Sequence, residues 1–144
     1  MLQNELDMSF NYAPITYGEI KEGVGKRASD KVLQVFENIV RGEKTLENAW
    51  NRTHNQGGKH KAMWFTSTVW YEENIPPTIA GDHGTYFDFE EKSQVSNETI
   101  RNCSSFPQDY NFMEQKIPYI TGMSVPPLMI KRIVTRLIES GVFE

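Results

Sequence analysis

Residues 51–61 read NRTHNQGGKHK, which places Arg52, His54, Asn55, Gln56, Lys59, His60 and Lys61 in one stretch with no carboxylate among them. These side chains have the chemistry to bond nucleic acid. Arg and Lys reach guanine O6/N7 or phosphate oxygens, and Asn and Gln reach adenine N6/N7. Gly57-Gly58 would let the backbone approach a groove closely. A solvated surface loop has the same composition, so the residues alone leave both readings open. Other chemistry finds less support. His54, His60 and His83 have no Cys or carboxylate at ligand spacing, so no metal site is expected. Ser67, Ser104 and Ser105 have no recognisable His–acid pair to activate them.

A second informative stretch is 105–127, SFPQDYNFMEQKIPYITGMSVPP, which runs into an amphipathic segment at 128–140. There Ile130, Ile133, Val134, Leu137 and Ile138 mark one helical face, with Lys131, Arg132 and Arg136 off it. Ser124 is an N-cap candidate, Pro126-Pro127 suit a first turn, and Gly141 is a stop. Such a helix needs a partner surface.

The elements that would carry these stretches are short. Residues 1–28 read as irregular. Ser29-Asp30 predicts a helix through about Arg41, and a second helix is predicted over 45–51. The aromatic and β-branched run at 63–71 predicts a strand, with weaker strand candidates at Thr78-Ile79 and 85–89. Ser96 predicts a helical turn ending near Ser104. Trp50, Trp64 and Trp70 are expected to fill a small core rather than stack on bases.

Charge and size bound the rest. A chain of 144 residues fits one domain, or one lobe of a larger one. A net charge of −4 argues against bulk electrostatic binding to nucleic acid. Residues 72–98 carry seven carboxylates against Lys92 alone, so any DNA contact is expected in the N-terminal half. Glu90-Glu91 read as a solvated face or hinge. The lone Cys103 excludes an internal disulfide, and no apolar run approaches the length of a membrane span. A soluble, cytoplasmic protein is expected.

Phe106-Pro107, Asp109-Tyr110, Tyr119 and Gly122-Met123-Ser124-Val125-Pro126-Pro127 together resemble the end of a DNA cytosine-5 methyltransferase. In that family a segment close to FPDDY precedes GNAVPP or GMSVPP and one last helix. Pro77-Thr78-Ile79 is similar to a motif just after the family's target-recognition region. Residues 95–110 look like its ninth motif, with Ser93 in place of the usual Arg. The resemblance implies that Met123, Ser124 and Val125 approach the methyl donor, S-adenosylmethionine. Met123 stands at the common Asn position and removes a side-chain amide. It also places residues 51–61 in the target-recognition region. The family's Pro-Cys nucleophile, E-N-V and Q-x-R-x-R segments and Gly-rich donor loop have no counterpart, because Cys103 follows Asn102. The chain alone is therefore expected to be inert.

The expected fold is α+β. A target-recognition lobe over 1–94 with short strands and loops precedes C-terminal motifs and a docking helix over 95–144. That helix would pack on a missing α/β methyltransferase domain. Split enzymes of the family, broken near this place, make the length sensible. The implied partners are duplex DNA and a separate catalytic part, with self-association through the last helix as a further expectation and no membrane. The alternative is a non-catalytic DNA- or protein-binding module.

Overall fold

A computed structural model of the chain describes residues 11–54, 67–81 and 85–141. The fold is α+β, built on a small mixed sheet of order β1-β2-β3. Strand β1 (Ser67–Trp70) runs parallel to β2 (Thr85–Asp88), which pairs antiparallel with β3 (Ser93–Gln94). Alternation along the strands separates two cores. Val69 and Phe87 face one side, where they meet α2 (Asp30–Phe36) and α3 (Glu47–His54) through Val35, Phe36 and Ala49. Trp70 and Tyr86 face the other and meet Tyr17 of α1 (Tyr17–Ile20) and Ile100 of α4 (Asn97–Cys103).

Of the N-terminal segment expected to be irregular, residues 1–10 lie outside the described residues, and 11–28 are coil apart from α1 and an isolated bridge at Arg27, laid as a strap across this second face. Tyr17 and Gly18 N–H groups donate to Asn74 and Glu72 carbonyls at 2.8 and 2.9 Å. Further on, Gln94 N–H donates to Lys26 O at 2.8 Å, and Arg27 bridges Ser93. The approach is tight enough that a Cβ on Gly25 would sit 1.5 Å from Gln94 O, so only glycine fits there.

Several element boundaries move. Helix α2 stops at Phe36, short of the expected Arg41, because Asn38 and Ile39 make i→i−3 bonds that close its last turn. Val40, within the expected span but beyond the helix, is 60 % exposed. Helix α3 begins later and ends later than expected, since Thr45 is drawn into a bridge with Thr68 of β1. Thr78-Ile79 form no strand; Ile79 serves the second core from an irregular segment. Ser96 does cap α4, its hydroxyl accepting from Thr99 N–H at 3.0 Å.

The C-terminal motifs contain a helix the sequence reading did not anticipate. Helix α5 (Ile117–Met123) precedes α6 (Pro127–Glu139). Ser124 therefore ends α5 rather than starting α6, whose N-cap is Pro126. The Ser124 hydroxyl is turned back to donate to Ile120 O at 2.5 Å, so it is not available as a cap. Gly141, at φ +69°, closes α6. No described helix is long and apolar enough to cross a membrane.

Candidate functional site

The expected nucleic-acid loop is only partly within the described residues: Asn55, Gln56, Lys59, His60 and Lys61 lie outside them. Arg52 and His54 do not sit in a loop at all. Both belong to the last turns of α3, where Thr53 Oγ1 donates back to Ala49 and Trp50 carbonyls. The guanidinium of Arg52 clasps Glu43, with two N–O distances of 2.6 Å, and donates to Asn38 O at 2.5 Å. This paired geometry holds the Glu43 carboxyl below its ordinary range and the guanidinium above its own. His54 stacks on Trp50 at 3.7 Å between ring centroids, an i, i+4 pair legible in the sequence once the helix is extended. Lys31 lies over the Trp50 ring at 4.9 Å.

The turn formed by Met123, Ser124 and Val125 is open to solvent at both ends, with Met123 69 % and Val125 55 % exposed. Its position is fixed from below. A Cβ on Gly122 would lie 2.3 Å from Gly81 N, so two backbones touch where α5 crosses the segment before β2. The Met123 side chain then covers Gly81. Side chains of Met123 and Val125 are accessible to a ligand or a partner; the Ser124 hydroxyl proton is already committed to Ile120.

Helix α6 has no buried residue. It touches the remainder through its first two turns: Leu128 N–H donates to Ser105 Oγ at 3.0 Å, and the Arg132 guanidinium lies 3.8 Å over the Tyr12 ring. At 100° per residue, the stripe of Ile130, Val134 and Ile138 points the opposite way, and these residues are 45, 44 and 64 % exposed. An apolar groove lies at the foot of α6, lined by Ile15, Ile75, Leu128, Met129 and Cys103. Burial pushes the Cys103 thiol up to about 11, which leaves it protonated and a poor nucleophile near neutral pH.

One polar centre was missed by the sequence reading. Asp88, counted only among the acidic residues of the middle segment, is 1 % exposed. Its carboxylate accepts from Tyr17 OH at 2.6 Å, Lys21 Nζ at 2.8 Å and Glu91 N–H at 2.7 Å. Lys21 also pairs with Glu72 and Glu91, at 3.0 and 2.9 Å. Burial alone would raise the Asp88 pKa, yet these bonds hold it below the usual carboxylate value. Burial likewise opposes the charge on Lys21, and its three carboxylates still keep its pKa above the ordinary ammonium value. Every partner here is within the chain, so the centre reads as a staple that binds the strap to the sheet. Glu91 is thus part of an ion-pair group rather than only a solvated face. Among the described residues no group of three or more His, Cys, Asp or Glu side chains is placed to hold a metal.

Comparison of the chain with protein-family models, with curated proteins and with solved structures finds no match.

Proposed function

We propose that this chain is the target-recognition and C-terminal portion of an S-adenosylmethionine-dependent DNA cytosine-5 methyltransferase, active only with a separate catalytic part. The observation that carries the reading is α6. It follows the FP…GMSVPP segment, and its apolar stripe faces away from its own chain. In this reading the stripe docks on the catalytic part, which brings the attacking Cys, the Glu and the donor site. Docking would bring Met123 and Val125 to the edge of that donor site through their exposed side chains, and Ser124 through its backbone. The recognition segment near α3 would hold the duplex while a cytosine is flipped, a step that costs a few kcal/mol and must be offset by contacts to DNA.

The test is methyl transfer from labelled S-adenosylmethionine to duplex DNA, with the chain alone and with the product of the reading frame just upstream. Activity in the mixture alone is the expected result. Activity of the chain alone would overturn the division of labour. A second reading is a binding module without catalysis, with the carboxylate-free polar stretch at residues 51–61 as its contact surface. It predicts silence in both arms together with salt-sensitive duplex binding.

A further inference from the structure

Strand β1 borders a cleft of about 720 Å³ on the strap side of the fold. Its walls come from Pro14 and Tyr17 at the start of α1, Lys44 in the turn after α2, Tyr71, and Ile75 in the segment after β1. Volume, aromatic lining and sparse polar groups are those of a small-ligand site. Buried side-chain polar atoms without a hydrogen-bond partner are few among the described residues. Two of them, Thr68 Oγ1 and Trp70 Nε1, belong to side chains that line this cleft. Leaving such groups unpaired forfeits their hydration with nothing in return.

The chemistry of the two groups selects the ligand. An indole Nε1 only donates, so its missing partner is an acceptor, and a threonine hydroxyl can donate to the same group. Charge at the rim narrows the choice further. Glu73 is held by Arg41 at 2.9 and 3.1 Å, whereas Lys44 joins none of the ion pairs formed among the described residues. Lys44 is therefore the cation of the cleft wall that no carboxylate among the described residues pairs with, while Glu73 shares Arg41 with Glu90.

We propose that this cleft binds a carboxylate carried on an apolar body, with Thr68 and Trp70 donating to its oxygens and Lys44 complementing its charge. Both donor atoms are closed to solvent in the free protein, so entry is coupled to a shift of the rim, where Ile75 is 61 % exposed. A free small acid and the C-terminal carboxylate of an apolar peptide share this chemistry. The inference is independent of the methyltransferase reading.

The test follows the Trp70 indole N–H resonance of the full chain during titration with 3-phenylpropionate or a short peptide ending in phenylalanine. The amide of each serves as control. A saturable shift with the acids and none with the amides is expected, and the tighter acid identifies the source. Thr68→Val and Lys44→Glu should each weaken binding by about tenfold, without lowering the thermal midpoint. Absence of a saturable shift at millimolar acid overturns the proposal. So does unchanged affinity in both variants.

Discussion

Helices α4 and α6 lie close together in the sequence and meet opposite fates. Helix α4 is seven residues long, well below the length at which a helix is stable by itself, yet it is thoroughly anchored. Ser96 caps it, Ile100 is 1 % exposed in the second core, and Thr99 bonds the strap at Glu22. Helix α6 is thirteen residues long and richer in Ile, Leu and Val, and none of it is buried. Propensity and apolar content are therefore not what decides which helix is anchored here. What decides it is whether the chain supplies the opposing surface, and among the described residues none buries the stripe of α6. An apolar stripe of that regularity exposed to water is the mark of an interface.

The largest expected effect breaks that contrast from the α6 side. Under the proposed function, Val134→Asp should abolish methyl transfer by the mixture of this chain with a catalytic part, because a carboxylate would be buried unpaired at the joint. The same variant should change the stability of the isolated chain by less than about 0.5 kcal/mol. Thermal unfolding and co-purification read the two effects separately. Continued co-purification would remove the docking role, and marked destabilisation would mean that α6 belongs to the folded unit after all.

On the anchored side, Asp88→Ala should lower stability by about 3 kcal/mol, since Lys21 and Tyr17 OH would lose the acceptor they share. The pH dependence follows from the same centre. Asp88 has a folded pKa below its unfolded one, so its contribution is present above about pH 4 and is lost as pH falls further. Lys21 has a raised folded pKa, so its contribution is present below about pH 10 and fades above that. Denaturant midpoints across pH should show a plateau between these limits. In Asp88→Ala the acid limb should flatten; an unchanged acid limb would locate that dependence elsewhere.

Gly122→Ala probes the joint between the two regions. Its methyl group would collide with backbone at Gly81, where neither partner is a flexible side chain, so a cost of about 2 kcal/mol is expected. Under the proposed function, donor binding by the assembled enzyme should weaken as well, because the Met123–Ser124–Val125 turn would be displaced. A variant that loses stability but binds the donor normally would separate the joint from the site.

How much of this was legible depends on the range of the interactions. Local signals served well. Ser96 announces α4, the alternation of Val69 with Trp70 and Tyr86 with Phe87 gives the two sheet faces, and the spacing of Ile130, Ile133, Val134, Leu137 and Ile138 gives the apolar face of α6, of which Ile133 and Leu137 prove half-buried. Long-range pairings were not visible. Nothing near Gly25 states that it must pass against Gln94, nor does Asp88 differ by neighbourhood from Glu90 and Glu91. The strap and the buried carboxylate emerge only when segments some 70 residues apart meet. Helix α5 was hidden for a different reason: Pro118 and Gly122 in so short a stretch suggest a turn, and tertiary contact with α4 outweighs that local preference.

The smallest expected effect concerns Arg52, and here the structure sharpens the sequence reading. Arg52→Ala should cost little stability, because the clasped Glu43 is mostly shielded while the guanidinium is exposed and screened. Its effect on duplex binding should be smaller than that of Lys59→Ala, because Glu43 already neutralises the guanidinium. Lys59→Ala should reduce the slope of log affinity against log salt by about one, the signature of a lost phosphate contact. Glu43→Gln then becomes the discriminating variant. If Arg52 lies near the duplex, releasing it from the clasp should strengthen binding and steepen the salt slope. If α3 is only a structural helix, Glu43→Gln should cost stability and leave duplex binding where it was. Binding unchanged in Arg52→Ala with Lys59→Ala would remove the DNA role from this segment altogether.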